Sequence, residues 1–108
     1  MEESEYSIDY LPLARSDIAG IVLSFVMLGS TNGAERIRKI IVKAGEQIKF
    51  MPYSGVAVPD NNMARDGYRM VVIEKYLMFY KVFEKSRKVV VFRVVDGRTD
   101  YPKLFETT

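Results

Sequence analysis

The sequence predicts an α+β fold: a small, antiparallel-rich sheet with a helical hairpin packed on one face. Three observations carry that expectation. Apolar residues alternate over a few positions near the N-terminus, recur at helical spacing in two blocks up to residue 50, and return from residue 68 as three short β-rich runs. The predicted order is strand–helix–helix–strand–strand–strand. A length of 108 residues fits one domain spanning 1–108.

The first strand is read from Glu5 to Tyr10, with Tyr6, Ile8 and Tyr10 on one face and Ser7 and Asp9 on the other. Pro12 ends the pairing, and its fixed φ suits a helix start. Ala14, Ile18, Ile21, Val22, Phe25 and Val26 then follow helical spacing. Asp17 sits where a carboxylate favours the dipole of the helix N-terminus. Gly29 to Gly33 reads as a turn rich in capping residues. A second helix is expected from about Ala34 to Phe50, with Ile37, Ile41, Ala44 and Ile48 as its buried stripe. A tight turn between two helices predicts an antiparallel hairpin.

Residues 51–67 hold Pro52, Gly55, Pro59, Asp60, Asn61, Asn62 and Gly67, and read as an irregular connection. Strands are expected over Tyr68–Glu74, Leu77–Phe83 and Lys88–Val95, joined as an antiparallel meander. Val89-Val90-Val91-Phe92 is apolar on both faces, so the last strand is expected inside the sheet, beside the first strand.

Composition narrows the chemistry. The chain has no His and no Cys, which removes imidazole bases, thiol nucleophiles, disulfides and His- or Cys-based metal sites. No metal or other cofactor is expected. Net charge is +2, but residues 1–64 hold more acids than bases while residues 65–108 hold the reverse. A basic C-terminal half fits a polyanion or an acidic partner, or a merely soluble surface. The acidic N-terminus and the lack of a long apolar run point to the cytoplasm, with no membrane partner.

Two strand arginines are the notable candidates. The period of two places Arg69 with Val71 and Ile73, and Arg93 with Val89, Val91 and Val95. A guanidinium among valines is costly unless paired. One reading is a structural ion pair, with Glu74 or Asp96 as the carboxylate. The other is a phosphate-binding fork, since guanidinium bonds phosphate bidentately and stays charged. Arg98 and Tyr101 follow the last strand closely enough to reach the same end of the sheet. Tyr101 is suited to stacking on a base, to proton transfer, or to anchoring the tail.

Gly67-Tyr68-Arg69-Met70-Val71-Val72-Ile73-Glu74-Lys75-Tyr76-Leu77-Met78-Phe79-Tyr80-Lys81-Val82, with its Arg opening a strand, followed by Val91-Phe92-Arg93-Val94-Val95-Asp96-Gly97-Arg98-Thr99-Asp100-Tyr101, resembles the C-terminal half of RelE/ParE-family toxins, also called plasmid stabilisation proteins. Tyr6-Ser7-Ile8 and Ala34-Glu35-Arg36-Ile37 resemble the family's first strand and second helix more loosely. The resemblance implies a toxin of a type II toxin–antitoxin system, with a cognate antitoxin protein as partner. In its RelE-like branch it implies a metal-independent endoribonuclease that cuts mRNA on the ribosome. There Arg69, Arg93 and Tyr101 would be catalytic, and Arg98, Lys75 and Lys81 would bind RNA phosphate. In its ParE-like branch it implies a poison of DNA gyrase without nuclease residues. A third reading is an inert or regulatory binding module that keeps only the fold and its partner binding. Many active nucleases of this kind add a His or a Lys pair; this chain has no His, and Glu46 and Asp66 are the remaining candidate bases. Self-association as a homodimer, through a surface meant for the antitoxin, is a further expectation.

Overall fold

The computed structural model describes residues 5–106. β1 (Ser7–Tyr10) leads through Leu11 into α1 (Pro12–Met27), and α2 (Thr31–Phe50) returns antiparallel to it. A two-residue strand β2 (Val56–Ala57) and a short helix α3 (Asn61–Arg65) fill the connection expected to be irregular. The meander is β3 (Arg69–Ile73), β4 (Tyr76–Phe83) and β5 (Lys88–Asp96), followed by a 3₁₀ turn over Tyr101–Phe105. The sheet order is β1-β5-β4-β3-β2. β1 runs parallel to β5, and the other pairs are antiparallel. The last strand thus lies beside the first, inside the sheet. No helix of the described residues is long and apolar enough to cross a membrane.

Local chemistry explains the boundaries. Pro12 lacks an N–H and opens α1 without loss. Ser30 caps α2 by accepting the Gly33 N–H at 3.0 Å, so that helix starts at Thr31, three residues before the position expected. Asp60 caps α3 through the Met63 N–H at 3.0 Å. β2 and α3 are too short to show a period, which is why the sequence pattern hides them. The β3–β4 connection uses Glu74 in the left-handed region, at φ 56°.

Both faces of the sheet are covered. On one face, Ile37, Ile41 and Ile48 of α2 pack with Met78, Tyr80, Val89, Val91 and Val94. The inner side of α1 adds Ala14, Ile18, Ile21 and Phe25. Gly45 leaves room under α2 for the Tyr10 side chain of β1, because a Cβ there would collide with the Tyr10 hydroxyl. On the other face, Val58, Met63, Phe79 and Val95 pack with Tyr68, Met70, Leu77, Tyr101 and Phe105. The connection and the tail therefore form a second cover opposite the hairpin.

One irregularity decides where the arginines go. Phe79 pairs with Arg93 while Tyr80 pairs with Val91, so Phe92 is an extra residue in β5. Val89 and Val91 face the helices before this bulge, and Val94 does so after it. The strict alternation expected for Arg93 with Val89 and Val91 is broken there. Arg93 is carried onto the parity of Val95, whose side chain lies in the second cluster.

Tyr80 fastens the connection to the core. Its buried hydroxyl donates to the Pro52 carbonyl at 2.7 Å and accepts the Gly55 N–H at 3.0 Å. Tyr80→Phe keeps the ring but strands both backbone groups. The expected loss is about 1–3 kcal/mol of unfolding free energy, read from denaturant midpoints.

Candidate functional site

Arg93 is held by α1. Its Nε donates to Asp17 Oδ2 at 2.7 Å and its Nη2 to Oδ1 at 3.0 Å, a two-pronged ion pair. Asp17 Oδ2 also accepts the Val94 N–H at 2.9 Å. The reason is topological. β1 pairs with β5 only as far as Tyr10 and Val91, with Leu11 N–H closing on the Val91 carbonyl. Beyond that point the β5 edge has no strand beside it, and α1 passes there with Asp17 in its second turn. The carboxylate satisfies an edge N–H that would otherwise be orphaned. Hydrogen bonding to Asp17 pushes the Arg93 guanidinium above its ordinary pKa. The structural ion pair weighed from sequence is present, with Asp17 as its carboxylate in place of Glu74 or Asp96.

Arg69 lies elsewhere. Its cross-strand partner is Tyr80, which faces the helices, whereas the partner of Arg93 is Phe79, which faces the tail. Cross-strand partners share a face, so the two arginines leave the sheet on opposite sides. Arg69 Nη2 donates to the carbonyls of Gly55 at 2.7 Å and Tyr53 at 3.2 Å. Its guanidinium also lies 5.4 Å from the Tyr53 ring centroid. Its Nε is buried with no partner among the described residues. Arg69 therefore staples the connection that Tyr80 also holds. The nearby Tyr53 hydroxyl bonds Glu84, which raises the Tyr53 pKa to about 12.

The remaining candidates divide between two places. Arg98 folds back on Asp96, with Nε–Oδ1 and Nη2–Oδ2 both 3.1 Å, and Lys75 Nζ lies 3.9 Å from the same carboxylate. These bonds, with the Arg98 backbone N–H on Oδ1, hold the Asp96 pKa down at about 2. Tyr101 is packed by its ring on Phe79, 4.8 Å between centroids. Phe105 continues the aromatic row to Tyr68 at 4.7 Å, and Lys81 Nζ sits over the Tyr68 ring at 4.4 Å and near Phe92 at 5.6 Å. Tyr68, Phe92, Phe105 and Arg93 border a cavity of about 420 Å³ beside this row. Glu46 lies far along α2 on the groove between the two helices, and Asp66 follows α3. Among the described residues no group of three or more acidic side chains is placed to hold a metal ion. Sequence reasoning missed Asp17 as a partner of Arg93 and Tyr53 as a partner of Arg69. A lone acid in a largely apolar helix was the available signal for the first.

Two measurements check these assignments. A double-mutant cycle with Arg93→Met and Asp17→Asn is expected to give a coupling of about 1–3 kcal/mol in unfolding free energy. Additive effects would mean the two side chains do not interact. NMR titration should place Asp96 at about 2, with Arg98→Ala moving it back toward 3.8. A depressed carboxylate pKa stabilises above the unfolded value, so any contribution of Asp96 is lost as pH falls from about 3.8 through about 2.

Comparison with known proteins follows this geometry. The family model for the ParE toxin of type II toxin–antitoxin systems, parDE, matches residues 8–101. No curated protein matches the chain. Among solved structures, a chain of the chromosomal ParDE toxin–antitoxin system from P. aeruginosa is similar with a TM-score of 0.66 at 18% identity, covering 84% of this chain and 95% of that one. At that identity the structural likeness speaks for the fold. The family match covers most of the chain, and with it this chain belongs to the ParE toxin family of type II toxin–antitoxin systems.

Proposed function

We propose that this toxin acts in the cytoplasm by binding a protein target rather than by cutting mRNA, with DNA gyrase as that target. A toxin of such a system has an antitoxin as its partner. The choice of target class rests on one observation above the others: the arginines a ribonuclease would need are already engaged. Arg93 is forked to Asp17, Arg69 to two backbone carbonyls, and Arg98 to Asp96. Arg69 and Arg93 also leave opposite faces of the sheet, so no single phosphate meets both. Stabilising a pentacoordinate phosphate calls for donors converging on one oxyanion, unspent before the substrate arrives.

The half-buried ring of Tyr101 packs at a tilt against Phe79, which suits an anchor for the tail better than a group reaching for a 2′-hydroxyl. Exposed apolar side chains are plentiful by contrast, along α1 and its turn. That balance is what a protein-contact toxin presents. The ribonuclease reading retains Lys81 with Tyr68 and Phe92, a cation–aromatic platform on which a base can stack.

Inducing the chain separates these readings. The expected order is DNA damage signalling first and loss of protein synthesis later, with purified chain inhibiting gyrase supercoiling. Ribosome-bound mRNA should stay intact when the chain is added to a translation reaction. Cleaved mRNA in that reaction would overturn the proposal, and Arg69, Arg93 and Tyr101 would return as its catalytic candidates. Normal growth on induction, with gyrase unaffected, would leave a member that kept only the fold and its antitoxin.

A further inference from the structure

We infer that the cavity enclosed by the start of α1, the sheet and the tail is a binding site for a free guanine nucleotide. The inference does not depend on the choice of toxin target. The cavity holds about 420 Å³, within the ~300–1,000 Å³ of small-ligand sites. Leu11 and Leu13 line it from the chain entering α1, Tyr68 and Phe92 from the sheet side, and Leu104 and Phe105 from the tail. Walls rich in aromatic rings favour a flat, polarisable body.

Three polar groups narrow the ligand. Lys81 Nζ lies 4.4 Å from the Tyr68 ring centroid and 5.6 Å from that of Phe92, and makes no ion pair among the described residues. A cation left unpaired beside an aromatic wall calls for an anion attached to the flat body. Arg93 lines the cavity while Asp17 does not. Asp17 takes only its Nε and Nη2. A guanidinium carries further N–H donors, so Arg93 keeps some for a ligand. Its charge is already balanced, which suits a neutral acceptor edge better than a second anion. Glu106, exposed on the tail side of the same cavity, supplies an acceptor.

Guanine matches this set. Its O6 and N7 accept on the edge that arginine reads, and its N1–H and N2–H groups can donate to a carboxylate. Adenine sets a donor beside N7, against the donors of Arg93, and pyrimidines have no N7. The phosphate of the nucleotide falls to Lys81. A free nucleotide is favoured over a strand, because a strand needs a track of free cations and successive stacking rings. Further along β5 on this face, Lys88 is paired with Asp9 at 3.2 Å, and Arg98 beyond the strand is folded onto Asp96.

Calorimetric titration of the full chain, freed of antitoxin, with GMP, AMP, CMP and guanosine tests the site. GMP is expected to bind with a Kd on the order of 100 µM, about tenfold or more tighter than AMP or CMP. Lys81→Ala should bring GMP down to the affinity of guanosine and leave guanosine unaffected. Glu106→Ala should weaken GMP about fivefold or more and leave AMP unchanged. In the wild type, the ring resonances of Tyr68 and Phe92 should shift on adding GMP. The RNA pentamer UUGUU should bind no more tightly than GMP. No heat with GMP, equal affinity for AMP, an unchanged GMP affinity in either folded variant, or shifts confined to other residues overturns the inference. So does the pentamer bound about tenfold tighter than GMP, which would make this face a platform for strands.

Discussion

The carboxylate of Asp17 is the constraint from which much of this architecture follows. β1 is only four residues long, so it leaves the second half of β5 without a neighbour on that edge. Asp17 supplies what a longer strand would have: an acceptor for the Val94 N–H. The same carboxylate takes both prongs of Arg93. Three charge-assisted bonds to one side chain fix both the height and the rotation of α1 over the sheet. With that rotation set, Ile18, Ile21 and Phe25 turn inward, and Leu23 and Met27 are turned out. The exposed apolar face of α1 is thus a consequence of how its half-buried polar contact is anchored.

The bulge at Phe92 has an effect of similar reach. A regular β5 would have kept Arg93 on the helix side, with Val91. One inserted residue reverses the parity, so that Arg93 on β5 shares a face with Phe79 of β4, while Arg69 on β3 lies on the other face with Tyr80. Each arginine is then consumed locally. Arg69 holds the connection over residues 51–57, and Arg93 reaches round the edge to α1. Pairing of this kind lowers the cost of burying guanidinium groups, and it leaves them unavailable as donors to a developing oxyanion.

Much of the fold was legible because its periods are long and clean. The stripe Ile37, Ile41, Ala44 and Ile48 on α2, the alternation Ile8 and Tyr10 on β1, and the meander with its two short turns all appear as expected. What stayed hidden had a physical reason in each case. β2 and α3 complete no period. The bulge falls within Val89-Val90-Val91-Phe92, where apolar residues on both faces give alternation no marker of parity. The partner of Arg93 is 76 residues away, beyond anything spacing can indicate. The lone Arg among valines did identify a special position, and it was the correct signal for a strong ion pair. It carried no information on whether the anion would be a carboxylate of the chain or a phosphate from outside.

That distinction orders the competing activities. A ribonuclease of this size needs cations left unpaired at one place and a base beside them. A toxin that grips a protein needs apolar side chains left uncovered on a rigid element. This chain pairs its strand arginines and leaves α1 uncovered, supported beneath by a packed core and locked at Asp17. Rigidity matters here, because a surface already ordered loses little entropy on binding.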